Sequence, residues 1–148
     1  MCIRDRSYCR EHGVGFTILE PLQTFEDKSI ARDVTEQLLR REPDLVGIYI
    51  DGGGAAGVLE AMSSLGRDRG IVAIGHDLTE HTRMGLIDGL LSMVLSHPVQ
   101  RLASAAVGHM MTELDAGTGP TQKVLAFDIY GPENLQPAVR PMPDPVQL

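Results

Sequence analysis

A regular alternation of short apolar runs with segments of helical periodicity constrains the fold of this chain more than any other feature. Apolar runs of strand length occupy residues 14–19, 45–50, 71–75, 90–96 and 123–130. Helical patterns occupy residues 27–41, 55–65, 79–87 and 98–116. Strands separated by helices form βαβ units, so the sequence predicts an α/β fold with a parallel sheet and helices on both faces.

Residues with known preferences for helix ends support this division. Pro43 ends the first helix, and Gly66 is expected at the C′ position of the second. Thr79 is expected to cap the third helix, and Pro98 to occupy the first turn of the fourth.

The composition indicates one globular domain and excludes several classes of function. The chain has 148 residues, enough for a real core, and a formal net charge of −7, which gives no reason for nonspecific nucleic-acid binding. No apolar stretch reaches the roughly 18 residues of a transmembrane helix. Cys2 and Cys9 are too few for a disulfide framework or a four-cysteine zinc site, so a reducing compartment is expected.

Both ends of the chain are expected to lie outside the fold. Residues 1–7, MCIRDRS, show neither periodicity nor the apolar core of a signal peptide. They look like a translated adapter sequence, and we expect a non-native leader. Residues 136–148 are rich in proline and follow no pattern, so we expect a disordered tail.

Polar side chains follow three of the predicted strands at the point where each strand ends. Asp51 follows the second strand, His76 and Asp77 follow the third, and Ser96 and His97 follow the fourth. In open α/β sheets, ligands bind in the crevice at the carboxyl ends of the strands. These side chains are therefore predicted to face a binding crevice.

Asp77 is the strongest candidate for ligand binding. A carboxylate at a strand end can accept charge-assisted hydrogen bonds from neighbouring hydroxyl groups, and Asp51 offers a second acceptor. A sugar or polyol would supply those hydroxyls. The alternative is that Asp77 caps the helix that begins near Thr79.

The glycines at positions 52, 54 and 57 have the spacing G-x-G-x-x-G, and Asp77 follows about 20 residues later. This pattern is shared by dinucleotide-binding proteins. The alternative is that the glycines only permit a tight turn and close helix packing.

His76, Asp77 and His81 are the candidates for a metal site, but their spacing matches no metal-binding motif. The sequence also lacks the Gly-x-Ser-x-Gly turn of many hydrolases. We therefore predict no metal, no cofactor and no catalysis.

Three stretches of the chain form a recognisable series: DLVGIYIDGGGAAGVLEAM, GIVAIGHDLTEHTRMGLIDGLLSMVLSHPVQRLASAAVGHMMTEL and the closing FDIYGPENL. In this order and spacing they resemble the effector-binding domain of LacI/GalR-type transcription regulators, which has the type I periplasmic-binding-protein fold. The resemblance covers about residues 15–135. It implies that Asp77 hydrogen-bonds the ligand. Asp51 stands where the family often has an asparagine, Ser96 where it often has a hinge glutamine, and His76 matches a subgroup with Gly-His turns.

The resemblance also implies a division of the chain. Residues 8–96 correspond to an incomplete C-terminal lobe of the sugar-binding domain, and residues 97–122 to the hinge and a crossover helix of a missing first lobe. Residues 123–135 correspond to the last strand. The apolar stripe of the crossover helix must then find another partner or stay exposed.

The function implied is that of the ligand-sensing part of a bacterial sugar-responsive repressor, without catalysis. DNA would be bound only through a missing N-terminal helix-turn-helix, and the full-length protein would be a cytoplasmic homodimer without a membrane segment. The alternatives are the solute-binding component of a sugar importer and, from the glycine spacing alone, an NAD-type enzyme.

Overall fold

The computed structural model describes residues 3–13, 15–116 and 122–135, and shows a four-stranded sheet of order β1-β2-β3-β4. The strands are β1 Gly47–Ile50, β2 Val72–His76, β3 Met93–Ser96 and β4 Asp128–Tyr130. The helices are α1 Ile3–His12, α2 Lys28–Arg41, α3 Ala55–Ala61, α4 Glu80–Ile87 and α5 Val99–Ala116. The first three strands are parallel, and β4 is antiparallel to β3. The predicted α/β class is confirmed, with a sheet that is mostly parallel.

The core lies on one face of this sheet. The register places Ile50 beside Gly75 and Gly75 beside Val94, so these residues share a face. Buried residues of α2, α3, the following π-turn and α4 cover that face: Ala31, Val58, Leu59, Met62 and Leu86. The βαβ alternation in the sequence produces this packing because each connecting helix brings one apolar stripe back onto the sheet.

The opposite face of the sheet is less covered than the prediction of helices on both faces implies. Successive side chains of a strand point to opposite faces, so Val72 and Ile129 lie on this second face. Their exposed fractions are 52% and 53%. Tyr49, Ile74 and Leu95 share the face and are half-buried.

The predicted strand at residues 14–19 was wrong for its described part. Residue 14 lies outside the described residues, and residues 15–19 form a turn and irregular chain, with Phe16 65% exposed. A strand needs a neighbour for its backbone N–H and C=O groups. No strand of the described chain pairs with this segment, so the apolar run of strand length remains unpaired here.

Several boundaries also differ from the prediction. The second helix continues after α3 as a π-helical turn, Met62–Gly66, and a 3-10 turn, Arg67–Arg69. Gly66 is therefore inside the helical segment, and Gly70, with φ of 65°, is the left-handed residue that ends it. The last strand is limited to β4, followed by a 3-10 turn at Pro132–Asn134.

The predicted leader, residues 1–7, and the predicted tail, residues 136–148, lie partly or wholly outside the described residues. Helix α1 begins inside the proposed leader, residues 1–7, whose first two residues lie outside the described part. This shows the conformation of that segment and not its origin. The predicted tail, residues 136–148, lies wholly outside the described residues. The division into lobe, hinge and last strand stays a prediction.

The apolar stripe of helix α5, which was expected to find another partner or stay exposed, is exposed in the described chain. Val99, Leu102, Val107 and Met110 are between 49% and 69% exposed. The helix is anchored near its start, where Arg101 donates hydrogen bonds to the carbonyl of Ala126 and to the Asp128 carboxylate.

In the described ranges, no helix is long and apolar enough to cross a bilayer.

Candidate functional site

An open cleft of about 470 Å³ lies at the carboxyl ends of β1 and β2, beside the start of α4. Three of the four predicted site residues line it, namely Asp51, His76 and Asp77. The other lining residues come from the turn before α2, from the glycine turn and from α4: Glu26, Lys28, Gly52, Gly53, Gly54, Ala55, Ala56, Thr79, His81 and Thr82. The prediction that polar strand ends face a crevice is confirmed for these three residues.

The glycine turn that follows Asp51 is shaped by packing. Gly54 has φ of 87°, a left-handed conformation that favours glycine, and it precedes α3. A Cβ atom at Gly57 would collide with the carbonyl of Lys28 and lie 2.8 Å from the backbone nitrogen of Arg32. Gly57 thus allows α3 to approach the α2 backbone closely. The interpretation as turn and packing residues is confirmed for Gly54 and Gly57.

The turn that carries Asp77 is held by three backbone contacts. Its N–H donates to the carbonyl of Leu95 at 2.7 Å. Its own carbonyl accepts hydrogen bonds from the N–H of Thr79 at 3.0 Å and from the hydroxyl of Thr82 at 2.7 Å. Asp77 has φ of 59°, a left-handed conformation that aspartate tolerates better than most side chains. These bonds fix the direction in which the carboxylate leaves the backbone.

Asp77 is not the N-cap of α4, so that alternative was wrong. Thr79 is the N-cap: its hydroxyl accepts from the N–H of Thr82, and the Thr82 hydroxyl accepts from the N–H of Thr79. This reciprocal capping box gives hydrogen-bond acceptors to two backbone N–H groups at the start of the helix. The carboxylate of Asp77 is thereby left for other partners.

The partner of that carboxylate is His97, at the junction between β3 and α5. Asp77 Oδ1 accepts from the backbone N–H of His97 at 2.9 Å and lies 2.8 Å from His97 Nδ1. The backbone N–H of His97 is the main cause that lowers the pKa of Asp77; partial burial opposes it, and the His97 ring and the charges of His97 and His76 add to it. Within the described chain, the second carboxylate oxygen makes no hydrogen bond.

Two aromatic rings contact the ring of His76, which directly precedes Asp77. The ring of His76 lies edge-on to Tyr49, with centroids 5.9 Å apart, and edge-on to His97, with centroids 5.4 Å apart. The prediction placed His97 at a strand end beside the crevice without giving it a ligand role, and it did not name Tyr49. His97 was detectable because it directly follows Ser96 at a strand end. Tyr49 was detectable only through its position two residues before Asp51, on the same side of β1.

Ser96 does not line the cleft. Its hydroxyl accepts from the N–H of Leu78 at 3.2 Å, which ties β3 to the turn after β2. It borders a separate pocket of about 40 Å³ together with His76, Leu95, His97 and Phe127. The ligand-binding role of Ser96 stays a prediction.

The residues that could hold a metal differ from those grouped by the sequence. Metal-ligating atoms of His76, Asp77 and His97 all lie within 4.8 Å of one another. His81 lines the cleft from the first turn of α4 and does not belong to this group. Motif spacing could not predict the contact of His97 with the other two residues, because His97 lies 20 residues after Asp77 in the sequence.

Solved structures with the same fold include sugar receptors. A glucose-galactose binding protein from Geobacillus stearothermophilus is 20% identical, with a TM-score of 0.76, and the match covers 89% of this chain and 48% of that one. A solute-binding protein of an ABC transporter from Agrobacterium vitis, bound with alpha-D-tagatopyranose, is 20% identical, with a TM-score of 0.76 and coverage of 88% and 44%. An arabinose binding protein from Geobacillus stearothermophilus is 15% identical, with a TM-score of 0.70 and coverage of 88% and 49%.

The chain spans less than half the length of each of these proteins. No curated protein sequence matches the chain at a significant level. Residues 5–118 match the family model described as the periplasmic binding protein domain, which is most of the chain. The chain therefore belongs to the periplasmic binding protein family.

Proposed function

We propose that this chain is part of a sugar receptor, and that the receptor is the solute-binding component of an importer. The observation that carries the proposal is the cleft at the strand ends, which Asp51, His76 and Asp77 line together. Its volume of about 470 Å³ lies in the range of small-molecule sites.

The chemistry of the cleft favours a ligand rich in hydroxyl groups. One oxygen of Asp77 is held by His97, and the other is left to accept a hydrogen bond from a ligand. Hydrogen bonds to a charged acceptor are roughly twice as strong as those between neutral groups. Binding of this kind needs no catalytic step, and the proposed function is therefore binding alone.

The solved structures support an importer over a regulator. Two ABC-transporter solute-binding proteins from Agrobacterium vitis, one with D-fucose and one with alpha-D-tagatopyranose bound, share the fold of this chain. Their identity of 20% shows only the shared fold. The choice of a monosaccharide as ligand, and of an importer as the whole protein, is our proposal.

A sugar-responsive regulator of the LacI type is the second candidate, because two of its sequence features form ordered turns here. The GHDLT segment builds the capped turn at Asp77. In the closing IYGPENL, Asn134 accepts from the N–H of Gly131 and donates to the carbonyl of Ile129. In this reading, DNA binding and dimerisation belong to parts outside this chain.

The two candidates differ in what precedes this segment in the gene. A helix-turn-helix upstream would favour the regulator and a cytoplasmic protein. A secretion signal upstream would favour the importer component. Sequencing the upstream coding region therefore distinguishes them.

The binding proposal is tested by two-dimensional NMR of the chain with a panel of pentoses and hexoses. At sugar concentrations up to about 50 mM, this detects dissociation constants in the millimolar range. We expect one sugar class to shift the amide signals of Asp51, His76 and Asp77. Asp77→Ala should weaken that binding roughly tenfold to a hundredfold through loss of a charged acceptor.

Asp88→Ala is the matched control, because Asp88 lies at the opposite end of α4 from the cleft. It should leave the binding unchanged. The proposal is wrong if no sugar in the panel shifts the cleft signals, or if Asp77→Ala and Asp88→Ala have the same effect.

A further inference from the structure

We propose that His76, Asp77 and His97 form a binding site for one divalent transition-metal ion of the zinc type. The site goes beyond sugar binding and differs from the sequence prediction of no metal. Its basis is the gathering of two imidazoles and one carboxylate, with ligating atoms within 4.8 Å of one another. No other such group occurs in the described part of the chain.

The donor set fits zinc. Zinc binds imidazole nitrogen and carboxylate oxygen at about 2.0–2.2 Å, and two histidines with one carboxylate recur in zinc sites that keep a fourth position open. Neighbouring ligand atoms around such a tetrahedral ion are about 3.4 Å apart. In the structure, Asp77 Oδ1 and His97 Nδ1 are 2.8 Å apart and the three ligating atoms lie within 4.8 Å of one another, so rotation of the side chains would bring all three atoms to bonding distance of one ion.

The backbone around the site is already ordered. His76 ends β2 and pairs in register with Leu95, two residues before His97. The turn at Asp77 is held by the carbonyl of Leu95. Metal binding would exchange the 2.8 Å contact between Asp77 Oδ1 and His97 Nδ1 for two bonds to the ion. The site therefore needs no rearrangement of the sheet.

The site is open on its outer side. The side chains of His97 and Asp77 are 55% and 50% exposed, and His76 and Asp77 also line the cleft. An ion held here would keep a coordination position for water or for an oxygen of a bound ligand. The proposal concerns the metal alone and does not require a sugar.

The test is titration of the chelator-treated 148-residue chain with Zn²⁺ in competition with a chromogenic chelator, followed by Co²⁺ titration. We expect one ion per chain, with a dissociation constant in about the micromolar range. Bound Co²⁺ should give visible absorption bands of a four- or five-coordinate site. His97→Ala and His76→Ala should each weaken Zn²⁺ binding by at least about tenfold.

His81→Ala is the matched control, since His81 lines the same cleft outside the three-residue group. It should change the affinity less than twofold. If His97→Ala does not fold by circular dichroism, His97→Asn replaces it. The proposal is overturned if the dissociation constant for Zn²⁺ is about 1 mM or higher. It is also overturned if His81→Ala weakens Zn²⁺ binding as much as His97→Ala does, because equal effects would indicate adventitious binding to surface histidines. Because no sugar is added, this outcome is independent of the sugar-binding experiment.

Discussion

At the scale of single residues, Asp77 combines a structural contact with the ligand role that is proposed for it. Its Oδ1 ties the turn after β2 to His97, and the residue also lines the cleft. Replacing it should therefore affect stability as well as binding. Reading the residue as a ligand acceptor alone would predict little change in stability.

The stabilising part of this role should depend on pH. The pKa of Asp77 is lowered in the folded chain, chiefly by the N–H of His97. Its contribution to stability is thus present above about pH 4, the ordinary range for aspartate, and is lost as pH falls through the lowered folded-state pKa. Asp77→Asn keeps an oxygen that can accept from His97 but removes the charge.

We expect Asp77→Asn to be less stable than the wild-type chain at pH 7, by less than about 1 kcal/mol because half-exposed pairs are screened by solvent. The difference should shrink towards zero as pH falls below the lowered folded-state pKa of Asp77. Denaturant unfolding of both chains over this pH range measures it. A difference of equal size at both ends of the range would contradict the assigned role of the charge.

At the scale of elements, the contact between α2 and α3 depends on one glycine. The backbones of the two helices approach so closely at Gly57 that a methyl group there would collide with the carbonyl of Lys28. Ala31, which is fully buried on α2, packs at the same contact. This packing also places the glycine turn at the rim of the cleft.

Gly57→Ala should destabilise the chain by about 1–3 kcal/mol, the usual cost of overpacking in a close-packed core. Gly52→Ala is the matched control, because a Cβ there meets no atom within 4 Å. The control should change the free energy of unfolding by less than about 0.5 kcal/mol. Thermal and denaturant unfolding compare the two. Equal effects would show that the loss comes from backbone freedom and not from helix contact.

At the scale of the whole molecule, the described chain leaves large apolar surfaces open. The stripe of α5 and the second face of the sheet both keep side chains at least about half exposed, among them Leu102, Val107 and Ile129. The cleft is likewise open to solvent on one side. Small-molecule sites usually enclose about 70–90% of the ligand surface. A cleft with a single wall covers a smaller part of that surface.

The isolated 148-residue chain should therefore bind a sugar no tighter than the millimolar range, about −4 kcal/mol. Joining it to a first lobe of the periplasmic-binding type should raise the affinity at least tenfold, because the second wall adds contacts to the same ligand. Isothermal titration calorimetry of both forms measures this. Micromolar binding by the isolated chain would show that one wall is sufficient.

Much of the fold and part of the site were predictable from local patterns. The stripes of α2, α3 and α4, the Thr79 cap and the strand ends at Asp51 and His76 depend on residues close in sequence. The unpaired segment after Gly15 was not predictable from its own residues. An apolar run indicates a strand only when another strand is present to pair with it.

The sequence by itself determined the order of strands and helices, and hence that Asp51, His76 and Asp77 meet at one edge of a parallel sheet. The tertiary structure alone decided that β4 runs antiparallel, that Ser96 holds a turn outside the cleft, and that His97 joins His76 and Asp77. Local patterns report which face of an element is apolar and where it ends. The partners of Asp77 and Ser96 lie 20 and 18 residues away, and only the packing of β2 against β3 brings them within hydrogen-bonding distance.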